Sequence, residues 1–161
     1  MSMTYELFAL PMTLLEEIRA SAAARSEWLG DPSELDTHSL DETWHALHFL
    51  MTGSPDPTDD LLGKVIFGGE PVSDDDMGHG PAHYLTAAEV AESADALRLL
   101  DTRQLRARFD RQAMMEFEIH PKTWVNASAA DLDELIAAFQ KLRDYYTRAA
   151  KAGLAMLAWI R

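Results

Sequence analysis

Polar and apolar side chains alternate at the start of the chain, where Tyr5 and Leu7 alternate with Thr4 and Glu6. That period of two predicts a strand over Met3 to Leu10. The period then lengthens. Thr13 and Glu16 have the spacing of a capping box, and Leu15, Ile18 and Ala22 fall on one side of a helix from Leu14 to Arg25. A second helix follows Ser39 to Glu42, another capping-box spacing, and ends at Gly53 and Pro55. Trp44, Leu47, His48 and Met51 make its inward stripe, with His45 and Phe49 about 100° round the axis.

A short helix is predicted over Thr58 to Phe67, closed by Gly68 and Gly69, and then a long loop rich in Gly, Pro and Asp from Glu70 to Tyr84. Thr86 and Glu89 cap a helix that turns Val90, Ala94 and Leu97 inward, and a further helical segment from Thr102 to Met115 carries Leu105 and Phe109. Phe117 to His120 reads as a short strand stopped by Pro121. The strongest helical pattern runs from Asp131 to Ala152, with Leu132, Leu135, Ile136, Phe139, Leu142 and Tyr146 on one stripe and Gly153 as the left-handed cap. Leu154 to Ile160 is apolar on both faces, which predicts a covered interior strand. Together these elements give an α+β fold. Several helices pack on a small mixed or antiparallel sheet containing both the N-terminal and C-terminal strands, in one domain over residues 1–161.

Composition narrows the chemistry. The chain has no cysteine, which removes disulfides, thiolate metal sites and thiol nucleophiles and suits a reducing compartment. Residues 1–10 lack the basic start of a signal peptide, and the apolar run at Leu154 to Ile160 falls far short of the ~20 residues of a membrane span. A cytoplasmic protein with no membrane partner is the expectation. The net charge of −13 is uneven: between Glu27 and Asp95 the single base is Lys64. Such a charge repels phosphate backbones and argues against nucleic acid. The arginines Arg98, Arg103, Arg106, Arg108 and Arg111 read as a solvated helix face that answers the acidic middle of the chain.

Signatures for nucleotide-binding loops, serine-hydrolase elbows and zinc-protease helices are absent, and no cofactor is expected. The histidines are the remaining lead. His45 and His48, at i and i+3, together with His79 and His83 and with Glu116 or Glu118, could form a metal site. The plainer reading is a buried His48 held by a hydrogen bond. Asp41 lies one turn ahead of both helix histidines and could orient His48 as a general acid or base. Trp44, His45, Gly80 and Tyr84 are the ligand-binding candidates in a pocket between that helix and the Gly78 to Tyr84 loop. Trp28 and Trp124 are candidates for exposed aromatic contacts between two copies.

The stretch from Leu40 to Gly53 (LDETWHALHFLMTG) resembles the most typical segment of the YfbM-like family of uncharacterised bacterial proteins. Leu62 to Gly69 (LGKVIFGG), Gly80 to Leu85 (GPAHYL), Glu89 with Val90, and Ile119 to Pro121 fit the same family in the same order. The resemblance covers nearly the whole chain and implies an α+β fold and a bacterial, cytosolic setting. It brings no activity, since the family is a domain of unknown function. Asp41, Trp44, His48, Gly53, Gly80, Pro81 and Tyr84 match its pattern, whereas His79 and His120 stand where the family commonly has tyrosine. Two functions are carried forward. One is a non-catalytic binding or interaction module whose acidic surface meets a basic protein partner, a role that suits immunity-type or regulatory proteins. The other is a small-molecule enzyme using His48 and Asp41 near the 78–84 loop.

Overall fold

The computed structural model describes residues 3–161. The first predicted strand forms as β1 (Tyr5–Leu10), and the apolar segment at the other end forms β4 (Ala155–Ile160). The two run antiparallel, from Tyr5 opposite Ile160 to Leu10 opposite Ala155. Two short strands flank them: β2 (Asp36–Ser39) pairs with β1, and β3 (His83–Leu85) pairs with β4. The sheet is antiparallel throughout, in the order β2-β1-β4-β3, so the apolar β4 is interior as its composition requires.

Among the described residues, eight α-helices and one 3-10 turn cover the two faces of this sheet. On one face, Phe8, Leu10, Leu157 and Trp159 pack with Leu15, Ile18 and Leu29 of α1 (Met12–Ala20) and α2 (Ala22–Gly30). On the other face, Tyr5, Leu7, Met156 and Ala158 meet α3 (Trp44–Thr52), α4 (Leu61–Phe67), α5 (Ala87–Leu99) and α8 (Ala129–Lys151). The Tyr146 hydroxyl of α8 donates to the Val65 carbonyl, tying the longest helix to α4. The inward stripes of α5 and α8 are buried as predicted, with Leu132 half-buried.

Several expectations are corrected. The predicted first helix is two helices, because Ser21 turns extended (φ −126°, ψ 120°) and its hydroxyl accepts from Ala24 N–H to start α2; Ala22 is therefore exposed. Thr13 sits inside α1, whose N-cap is Pro11. Thr102 to Met115 is likewise split, into α6 (Thr102–Arg108) and α7 (Arg111–Glu116), by an Asp110 that caps the second. The predicted strand at Phe117 to His120 is an irregular turn with Glu118 at φ 52° and a cis His120–Pro121 bond. Ser39 belongs to β2, so it caps nothing, and Asp41 stands outside the helix at φ 47°.

The 70–84 loop holds β3 and is pinned by buried Val72, whose N–H donates to Ala82 O. Trp124 is buried, its Nε1–H donating to Ile119 O at 2.9 Å, and Trp28 is half-buried. The arginines do not form one solvated face. Arg108 donates to the Leu50 and Met51 carbonyls, Arg111 to that of Ala127, and Arg106 pairs with Asp133. Arg98 alone of the five pairs with an acid of the acidic stretch, Asp95 on its own helix.

Candidate functional site

The helix that carries Trp44, His45 and His48 buries all three rings wholly or in part, each for a visible reason. Trp44 donates Nε1–H to Met3 O at 2.9 Å and lies among the Tyr5, Phe67, His45 and His120 rings, at centroid distances of 5.1–6.0 Å. His45 donates from Nε2 to Pro55 O at 2.7 Å, and its Nδ1 accepts the His120 N–H at 2.9 Å. Both its nitrogens are thus engaged by backbone. His48 is fully buried and donates from Nε2 to Asp56 O at 2.7 Å, while its Nδ1 has no partner among the described residues. Burial lowers the pKa of both rings and keeps them neutral, outweighing the carbonyl bonds. The i, i+3 spacing read as a ligand pair therefore clamps two successive carbonyls of the turn after α3.

The other candidates disperse. Asp41 is exposed, accepts from the Ser39 hydroxyl at 3.2 Å, and borders a shallow hollow with His38, Glu134 and Lys141. It makes no hydrogen bond with His48. Gly80 (φ 99°) donates N–H to Asp76 Oδ1 in a tight turn that carries exposed His79. Glu116 accepts from Gln112, and Glu118 pairs with Lys122. Among the described residues, no group of three or more histidine or carboxylate side chains is placed to hold a metal ion.

Tyr84 and His83 do meet a site, though not one the sequence outlined. A cleft of about 720 Å³ opens at the Tyr5 end of the sheet, between α4 and β3. Its origin is the Gly68–Gly69 pair. The chain leaving α4 runs alongside β3, with Gly69 N–H donating to Tyr84 O and Tyr84 N–H to Glu70 O. A Cβ on Gly68 would lie 2.8 Å from the His83 Cβ, and one on Gly69 would lie 3.0 Å from Tyr84 O. Gly68 also has φ 76° and ψ −173°, a region almost reserved for glycine. The close approach orients the imidazole: His83 donates from Nδ1 to Gly69 O at 2.8 Å, which leaves the lone pair of the neutral ring on Nε2.

The cleft lining combines aromatic rings with groups of both charges. Phe67 and Tyr5 form an aromatic wall, with ring centroids 5.6 Å apart, and the Trp44 and His48 rings pack against Phe67. Lys64 pairs at 3.3 Å with fully exposed Asp59. Glu70 accepts the Tyr84 hydroxyl at 3.2 Å, and Arg19 stacks over the Tyr84 ring. Glu89 caps α5 through Oε1, while its Oε2 has no partner among the described residues. Tyr5 is the telling residue. It is 5% exposed, its hydroxyl has no hydrogen-bond partner among the described residues, and burial raises its pKa well above the ordinary phenol value, so it stays protonated. The hydroxyl opens to the cleft rather than being sealed in the core. Tyr5, Lys64, Phe67, Glu70 and Glu89 were not read from the sequence as site residues; the adjacent glycines and a core-facing tyrosine were the available signals.

No helix of the described residues is long and apolar enough to cross a membrane. Residues 1–159 match the model of the domain of unknown function DUF1877. No curated protein matches the chain significantly. Among solved structures, the fold is similar to that of YfbM from Escherichia coli, a protein of unknown function, at 25% sequence identity, covering 100% of both chains with a TM-score of 0.77. More than half of the cleft residues, among them Lys64, Phe67, both glycines, His83, Tyr84 and Glu89, lie in the stretches that carried the family resemblance. The chain thus belongs to the DUF1877 family and is a YfbM-like protein.

Proposed function

We propose that this protein is a non-catalytic binding module that takes a small polar ligand, or a side chain of a partner, in the cleft between α4 and β3. The observation that carries the reading is Tyr5, whose ring is buried in the cleft wall while its hydroxyl opens to the cleft with no partner among the described residues. A ligand atom that meets this hydroxyl gains a hydrogen bond that no protein group supplies. The cleft volume falls in the range of small-molecule sites, and its lining sets an aromatic wall beside several polar and charged side chains. The acidic surface supplies long-range attraction for a positively charged ligand or basic partner.

A thermal-shift screen of a metabolite library against the native protein and Tyr5→Phe tests this. The expected result is a ligand that stabilises the native protein and loses most of its effect on the variant. A screen in which every stabilising compound acts equally on both proteins overturns the reading.

A further inference from the structure

We infer that the ligand of this cleft is an organic cation, a primary ammonium or guanidinium group on a short apolar stem. This rests on the binding reading above and adds its charge and shape. Four ionised side chains line the cleft: Asp59, Lys64, Glu70 and Glu89. Lys64 is already paired with Asp59, and no salt bridge among the described residues serves Glu70 or Glu89. Arg19 is engaged over the Tyr84 ring at 4.4 Å and makes no ion pair with either. Three carboxylates against one lysine line the cleft, within a protein of net charge −13, and an anionic ligand would meet repulsion at both ranges.

Glu89 Oε2 lies 3.8 Å from where a Gly69 Cβ would stand, whereas the Glu70 carboxylate is bound to Tyr84, whose ring packs with Phe8 and Leu157 on the sheet face opposite Tyr5. His83 presents Nε2 to the same cleft, its Nδ1 being committed to Gly69 O. The Tyr5 oxygen can accept a further N–H. An ammonium or guanidinium presents several N–H donors and no acceptor, the complement of this set. Its stem would lie along Tyr5 and Phe67, where aromatic faces also favour a cation.

Calorimetric titration of the native protein with agmatine, with a terminally blocked arginine-rich peptide, and with succinate tests the charge. Glu89→Gln is the informative variant, because glutamine also serves at the third position of a capping box and spares the start of α5. Agmatine or the peptide is expected to bind, weakening about tenfold in Glu89→Gln and again in Tyr5→Phe, as loss of a charge-assisted hydrogen bond predicts. Tighter binding of the peptide would place the cation on a protein partner, and binding of agmatine alone would make it a free metabolite; either supports the inference. Failure of both cations to bind, or binding indifferent to Glu89→Gln, overturns it. If succinate or a neutral compound binds instead, with sensitivity to Tyr5→Phe, the binding reading stands and the cation is wrong.

Discussion

His83 donates its Nδ1–H to the carbonyl oxygen of Gly69 across 2.8 Å, and that bond joins the end of α4 to the first residue of β3. It forms only because two glycines let one backbone come against the other. Gly68→Ala should therefore cost about 2 kcal/mol or more, from a positive φ and a contact with His83 Cβ. Gly30→Ala, at a helix end with nothing within 4 Å, should be neutral or stabilising by about 0.5 kcal/mol. Urea unfolding of the two variants checks the contrast. Equal effects would mean that the close approach is not required.

Tyr5→Phe should leave stability within about 0.5 kcal/mol, because the hydroxyl opens to the cleft without a partner among the described residues and the ring still packs on Trp44 and Phe67. Chemical denaturation measures it. A loss above about 1.5 kcal/mol would reveal a partner for the hydroxyl.

Stability should fall on acidification through His45 and His48. Burial lowers both folded-state pKa values below the ordinary 6.5, so the unfolded chain takes up protons first. Their contribution is complete above the unfolded value and is lost as pH falls toward the folded ones. The denaturation midpoint of the native protein should drop as pH falls through and below the ordinary histidine value, and the His45→Gln/His48→Gln variant should show a flatter dependence. Parallel curves would contradict the assignment.

Arg108 closes the C-terminal end of α3 by donating to the Leu50 and Met51 carbonyls, which the helix itself leaves unpaired. Arg108→Ala should cost about 1–3 kcal/mol and increase amide exchange at the end of α3, read by hydrogen exchange. Arg103→Ala, on the same helix and with no side-chain hydrogen bond among the described residues, should be near neutral.

The residues show why some of this was legible and some was not. Periodicity marked β4, the stripe of α8 and the inward turn of Trp44 and His48, because each depends on apolar positions within one element. The strand β2 (DTHS) has no apolar signal: it is an edge strand held by pairing with β1. Ser39 and Glu42 have capping spacing, yet Ser39 is taken by that pairing, which moves the helix start to Trp44 and leaves Asp41 outside. The cleft was hidden for another reason. Tyr5, Lys64, His83 and Glu89 come from separate elements, and only the sheet order and the Gly68–Gly69 contact bring them together.

Amide chemical-shift mapping of the native protein during titration with agmatine tests the central claim most directly. The account predicts shifts concentrated at Tyr5, Lys64, Gly68, Gly69, His83 and Glu89, with the Asp41 and Lys141 hollow unmoved. Shifts centred on that hollow, or none at saturating amine, would contradict it.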